Sequence, residues 1–251
     1  MRISNLYLYD APAVPQIRTN ELAEFLTEKT GISVKTRRSF LEHHSCTRDA
    51  LQLISSCVIS DLLSPIDQVT TKVTPRSQEG PAMHGAPLYD GFELQKVLTY
   101  YIPESELVQD NFHLVFTDML TCTYDYDDYR YHARAIICSN PALVSIPGII
   151  EAPAKPRDYY FQVYEKALQG VGEEIVRKGF KGRFLEYGDD RLGLVAKGYA
   201  LQAIMYYLTG DPFCESKDCI LYNAHWQEDL LHAQSEIGSL CEQHKKTLAK
   251  S

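Results

Sequence analysis

Residues 206–226 read YYLTGDPFCESKDCILYNAHW, and the fold turns on whether this stretch ends a helix and opens a metal-binding loop. Gly210 sits where a helix running through YALQAIMYYLT would stop, because glycine takes the left-handed conformation just past a helix end at little cost. Beyond it, Cys214, Cys219, Cys241 and His244 follow the spacing C-x4-C-x21-C-x2-H. Three thiolates and one imidazole make a closed tetrahedral set for zinc. The first pair is expected on the loop after Gly210. The second is expected on the last turns of a terminal helix spanning 224–249, where a two-residue gap turns both side chains to one side. The expectation is one structural zinc per chain, with an iron–sulfur centre as the rival occupant. Seven cysteines is an odd number for a disulfide framework, and Cys46, Cys57, Cys122 and Cys138 lie in apolar or strand contexts that suit core residues.

Upstream, DDRLGLVAKGYALQAIMYYLTG (189–210) is a long helix with an Asp pair at its start, and Leu201, Ile204, Met205 and Leu208 form one apolar stripe on it. PRDYYFQVYEKALQGVGEEIVRKG (156–179) begins a further helix after its proline. The first half of the chain alternates differently. ISNLYLY (3–9) is a strand, RTNELAEFLTEKTG (18–31) a helix capped by Thr19 or Asn20 and ended by Gly31, and ISVKT (32–36) a second strand. Residues 47–63 carry apolar positions at helical spacing, 64–91 are a Pro/Gly/Ser/Thr-rich surface loop, and a short helix at 92–101 leads to the buried strand NFHLVFTD (111–118). TCTYDYDDYRYHARAIIC places an acidic turn before another strand, and ALVSIPGIIEAP (142–153) ends the sheet region. The expected fold class is α/β (α+β), a mixed sheet packed on helices in one domain over 1–251. Residues 1–150 are mainly sheet-forming, and 151–251 are mainly helical and anchored by the Cys3His set.

With 251 residues the chain can bury a sizeable core, and 45% hydrophobic with 23% charged residues is ordinary for a globular protein. The net charge of −8 argues against nucleic acid and anionic lipid as partners, since both demand clustered cations. The one basic run, VKTRRSF (34–40), is too short to change that. No apolar run reaches the roughly 18 residues of a membrane span, and the N-terminus lacks a signal peptide's apolar core, so a cytoplasmic protein is expected. No G-x-S-x-G, P-loop or G-x-G-x-x-G motif is present.

Gly210, Cys214 and Cys219, with Leu221 where a Met would stand and Cys241 and His244 following, resemble the archaemetzincins, a metzincin-type metallopeptidase family. Its pattern is H-E-x-x-H-x-x-G-x-x-H-C-x4-C-x-M followed by a C-x2-C pair. VFTDML and ARAIICSNPALVSIPGI look like that family's central strands. The chain also looks like an uncharacterised archaeal group of metallopeptidase-like proteins. The resemblance implies a metzincin-like mixed sheet, and it implies that the catalytic zinc histidines would fall at Ala203, Tyr207 and Phe213 and the general-base glutamate at Ile204. Alanine and phenylalanine offer no donor, and isoleucine cannot take a proton from water. Only Tyr207 could reach a metal.

Two functions follow. In the first, the chain is catalytically degenerate, keeps one structural zinc, and uses the former active-site cleft to bind a peptide or protein segment along an edge strand. In the alternative, an active zinc peptidase has relocated its ligands. The best relocated set is His225, Glu228 and His232, spaced i, i+3, i+7 on one helix face, with Tyr207 as a further cleft candidate. A solvated helix face explains those residues as well. A scaffold module similar to the family only in its zinc-anchored tail is a third reading. His43, His44 and His84 could be loop-borne ligands, although no spacing favours them. His113 and His132 suit hydrogen-bonded strand positions. Asp125, Asp127 and Asp128 could face a hard cation but lack the glycine and distal glutamate of a calcium loop.

Overall fold

The structure, a computed structural model, describes residues 2–66, 82–83 and 86–249. Most of the 64–91 loop, with His84, lies outside them. Strand β1 (Asn5–Tyr9), helix α1 (Thr19–Thr30) and strand β2 (Ser33–Arg37) open the chain, with β2 parallel to β1. Gly31 closes α1 in the left-handed conformation, φ 70°. The expected threonine cap is employed elsewhere. Arg18 occupies the cap position, and the Thr19 hydroxyl donates to the Asp10 carboxylate at the end of β1.

Helices α2 (Phe40–His43) and α3 (Arg48–Ser56) come next. Strands β3 (Ala82–Met83) and β4 (Ala86–Asp90) occupy the end of the segment expected to be loop. The helical periodicity read across 47–63 stops at Ser56 because, after Cys57 caps the helix, Val58 and Ile59 run along β4, Ile59 N–H donating to the Leu88 carbonyl at 2.8 Å. Asp90 then caps α4 (Gly91–Tyr101), its carboxylate accepting from the N–H groups of Phe92 and Glu93 at 3.0 Å each.

Strand β5 (Asn111–Thr117) is buried along its whole length, as a strand with helices on both faces must be. After it come the hairpin strands β6 (Leu120–Asp125) and β7 (Arg130–Ala133), then β8 (Ile136–Ile137) and β9 (Ala142–Ser145). One sheet has the order β2-β1-β5-β9-β8 and the other β3-β4-β6-β7. Both are mixed: β1, β2, β5 and β9 run parallel, and β8 runs antiparallel to β9 at the end of the larger sheet. Residues 134–135 carry the chain from the small sheet to this edge.

Residues 142–153, expected to finish the sheet, divide into β9 and helix α5 (Ile146–Glu151). The Ser145 hydroxyl accepts from the Gly148 N–H at 2.9 Å and Pro147 fits the first turn, so a strong helix start is built into the end of the strand. Helices α6 (Arg157–Leu168) and α7 (Glu173–Gly179) replace one expected helix, separated at Gly170 with φ 76°.

Helix α8 (Leu192–Thr209) is buried on nearly every side, as a helix apolar all round should be. Leu201, Ile204, Met205 and Leu208 share a core with Leu6, Leu8, Phe112, Leu114 and Val144 of the large sheet. Each such side chain contributes about 1.5–3 kcal/mol on burial. Gly210 ends α8 with φ 83°, its N–H donating to the Tyr206 carbonyl at 2.7 Å.

The expected continuous helix at 224–249 is broken. Trp226 is extended and bridges to Ala154, so helix α9 (Gln227–Leu230) starts late. A π-helical segment (Leu231–Ile237) follows, Gly238 turns left-handed at φ 57°, and α10 (Glu242–Leu248) is a separate short helix. Among the described residues no helix is long and apolar enough to cross a membrane.

Candidate metal centre and cleft

The break at Gly238 shapes the cysteine centre. Ile220 N–H donates to the Ser239 carbonyl at 2.9 Å, which holds the 211–222 loop against the residues leading into α10. Cys241 is the N-cap of α10 and His244 lies three residues on. The two therefore sit on one side of the first turn of α10, not at the end of a long helix. Cys214 N–H donates to the Leu221 carbonyl at 2.9 Å, which folds the loop so that Cys214 and Cys219 face the same point. The donor atoms of Cys214, Cys219, Cys241 and His244 all lie within 4.8 Å of one another.

This set fits a divalent metal. In a zinc tetrahedron with bonds of about 2.3 Å to sulfur, neighbouring donors stand about 3.8 Å apart. Here His244 Nδ1 is 3.1 Å from the Cys241 sulfur and 3.8 Å from that of Cys219. Backbone N–H groups of Ser216 and Cys241 donate to the sulfurs of Cys214 and Cys219, each at 3.4 Å, the outer-shell support that thiolates take when they ligate. Burial pushes the Cys219 thiol up to about 12. Burial acts the same way on Cys241, but the backbone N–H and imidazole of His244, together with the Cys219 thiol, outweigh it and bring Cys241 down to about 7. A bound cation overrides both tendencies, because a coordinating thiol is deprotonated outright. Four protein donors leave a tetrahedral ion no position for water.

A cleft of about 470 Å³ lies beside this centre. One wall is the edge strand β8 with its approaches, including Arg134, Ile136 and Cys138. The second is α8, which presents Tyr199, Gln202 and Tyr206, and the third is the loop carrying Phe213, Asn223 and His225. No aspartate or glutamate is among the described residues that line it.

Of the positions where the resemblance would put catalytic groups, only Phe213 lines the cleft. Ala203 and Ile204 are buried against the sheet. Tyr207 also faces away, a correction to its reading as a cleft residue. Its ring packs on Phe112 at 4.9 Å and its hydroxyl donates to the Gln109 carbonyl at 2.7 Å. The cleft face of α8 is 199–202–206, one step round the helix. Gln202 could have been noticed in the sequence as the single polar residue in YALQAIM. It is 1% exposed, its Nε2 donates to the Tyr222 carbonyl at 3.2 Å, and its Oε1 has no hydrogen-bond partner among the described residues. Tyr207→Phe is accordingly expected to cost about 1 kcal/mol, one hydrogen bond, in a denaturant titration and to leave binding in the cleft unchanged.

The relocated set does not assemble. His225 precedes α9 on the cleft wall, Glu228 is exposed on α9, and His232 is tied to Asp218 at 2.9 Å and Glu236 at 3.3 Å, whose carboxylates raise its pKa. An extended Trp226 and the wider winding of the π-helical segment remove the spacing that a continuous α-helix would have supplied. Among the described residues these three do not come together as donors.

The other histidines among the described residues have structural partners. His113 Nε2 meets the Glu106 carbonyl at 3.3 Å, so Nδ1 accepts from the Tyr9 hydroxyl at 3.0 Å. The Tyr9 oxygen is 2.9 Å from His44 Nε2 and accepts from Arg37, which also forks onto Glu106 at 2.7 Å. Burial lowers His113 and His44 to about 4, which keeps both neutral. His43 packs edge-on against His44 and Tyr9. At the acidic turn Asp125, Asp128 and His132 do gather. However, Asp125 accepts from the Asp127 N–H, and Asp128 takes His132 at 2.7 Å and Arg130 at 2.8 Å. It is a hairpin tip paired within itself.

The chain folds as two mixed sheets packed on helices, an arrangement also found among solved structures. It is similar to the crystal structure of a zinc-dependent peptidase from Methanocorpusculum labreanum, with a TM-score of 0.50 and 12% identity over 97% of this chain and 99% of that one. A second similar structure is archaemetzincin from Methanopyrus kandleri, at TM-score 0.49 and 12% identity over 99% and 94%. No curated protein matches. Over residues 2–251 the chain matches the family described as "Probable metallopeptidase family (DUF6775)". It belongs to that family.

Proposed function

We propose that this chain is a catalytically degenerate member of its family, which holds one structural zinc in Cys214, Cys219, Cys241 and His244 and binds an extended peptide or protein segment in the cleft. One observation carries the reading. The cleft that would house the chemistry is lined by aromatic and aliphatic side chains, amides, one guanidinium, one thiol and one imidazole, and by no carboxylate among the described residues. A hydrolytic zinc needs about three protein donors and a carboxylate base beside a bound water. His225 alone cannot supply them.

The same walls suit a bound chain. β8 ends its sheet, so its outer edge can receive main-chain hydrogen bonds by strand addition. The volume lies within the range of about 300–1,000 Å³ usual for ligand sites. A neighbouring metal that pins the 211–222 loop to α10 would keep the third wall in place, which gives the ion an architectural part to play. A cytoplasmic location remains the expectation drawn from the sequence.

Peptidase assays on the zinc-loaded protein, with denatured casein as substrate, are expected to give no turnover above a chelator-treated control. A short extended peptide labelled with fluorescein is expected to bind without being cut. Zinc-dependent cleavage abolished by His225→Ala would contradict this reading and revive the relocated site.

A further inference from the structure

We infer that the segment bound in the cleft carries a carboxylate, received by the guanidinium of Arg134. This inference rests on the peptide-cleft reading above and names the chemistry of its occupant. Arg134 stands at the corner where the chain leaves β7 for the edge strand β8, and it lines the cleft. Its backbone is fixed on both sides. The N–H donates to the Thr121 carbonyl at 2.8 Å, and the carbonyl accepts from the Thr121 hydroxyl at 2.9 Å. Gly148 of α5 presses so close that a Cβ there would lie 2.1 Å from the Arg134 oxygen, so this corner cannot drift toward α5.

The side chain is tethered as well. Arg134 Nε donates to the Thr123 hydroxyl at 2.8 Å, while its two terminal nitrogens make no hydrogen bond or ion pair with any described residue. In a chain of net charge −8, Arg130, Arg177 and Arg191 are by contrast paired with carboxylates. The cleft offers Arg134 none, because no acid is among the described residues that line it. A guanidinium with its Nε anchored and its terminal fork open is pre-organised for two parallel bonds to a carboxylate. Acidic residues elsewhere on the surface make this cationic point in the cleft a local exception that an anionic group would find. A glutamate or aspartate side chain and a free C-terminus present the same chemistry.

The test uses the full zinc-loaded chain and four fluorescein-labelled five-residue peptides of otherwise β-branched sequence. They carry a central Glu or Gln, each with a free or an amidated C-terminus, and dissociation constants are read by fluorescence anisotropy. At least one carboxylate form is expected to bind about tenfold more tightly than the amidated Gln peptide, and which form does so distinguishes the side chain from the terminus. Arg134→Gln is expected to collapse that ratio to near one, and Arg134→Lys to leave an intermediate ratio, since it keeps the charge and loses the fork. Equal affinities in the wild-type chain, or an undiminished ratio in Arg134→Gln, would overturn the inference alone. Failure of every peptide to bind would overturn the peptide-cleft reading and this inference with it.

Discussion

Cys219→Ser is expected to lower the unfolding free energy by several kcal/mol, and removal of the metal by a strong chelator to do the same to the wild type. Cys219 is fully buried and holds the centre of the cluster, next to His244 and the Cys241 N–H. The apparent free energy of binding zinc to such sets, about 10–16 kcal/mol, is available only to the folded chain. Total domain stability is only about 5–15 kcal/mol, so losing one of four ligands removes a large share of it. The effect should be local first. The 211–222 loop meets the residues leading into α10 through a single backbone bond, Ile220 to Ser239, so hydrogen exchange should quicken there before the sheet loosens. A melting temperature unmoved by both treatments would show that these donors hold nothing.

Glu151→Leu is the second large effect, expected at about 3–5 kcal/mol, the usual consequence of removing one partner from a buried ion pair. The Glu151 side chain is 3% exposed at the end of α5 and accepts from Lys155 at 3.2 Å and from two nitrogens of Arg177, on α7, at 3.2 and 3.3 Å. Leucine conserves the volume but leaves two cations, 7% and 12% exposed, without their shared carboxylate. A denaturant titration showing a change below about 1 kcal/mol would mean that water already compensates these charges. Because Ala152 and Pro153 line the cleft, the same variant should also weaken peptide binding.

Where local signals agree with tertiary demands, the sequence is legible. β5 is rich in apolar residues, Phe112, Leu114, Val115 and Phe116, and is buried throughout. Gly31 and Gly210 end their helices as their positions predict, and the stripe from Leu201 to Leu208 packs on the sheet. The gathering of Cys214, Cys219, Cys241 and His244 could be read because their spacing is itself the signal: two loop cysteines, then a Cys and a His one turn apart.

Legibility fails where a distant partner decides. Residues 47–63 have helical periodicity throughout, yet β4 captures Val58 and Ile59 just past the helix cap at Cys57. Ser145 reads as a strand residue until Pro147 and Gly148 make it a helix cap. The terminal helix breaks at Gly238, a residue type a helix can tolerate, because Ser239 pairs with Ile220. The cleft was misread by one residue for a related reason. A motif comparison fixes which positions correspond in sequence, but the helix face toward the cleft depends on the rotation of α8 against the sheet. That rotation brings Gln202 and Tyr206 to the wall and sends Ala203 and Tyr207 inward. Arg134 cannot be singled out from the sequence, since an arginine just after a strand is marked only by where its side chain lies in space and by the lack of an ion pair among the described residues.

The central claim is that one closed metal site stands outside the cleft and none within it. Zinc per chain, measured by elemental analysis on the purified wild type and on a Cys214→Ser/Cys241→Ser double variant, tests this most directly. The account predicts one zinc in the wild type and none in the variant. Two zincs in the wild type, or one persisting in the double variant, would contradict it.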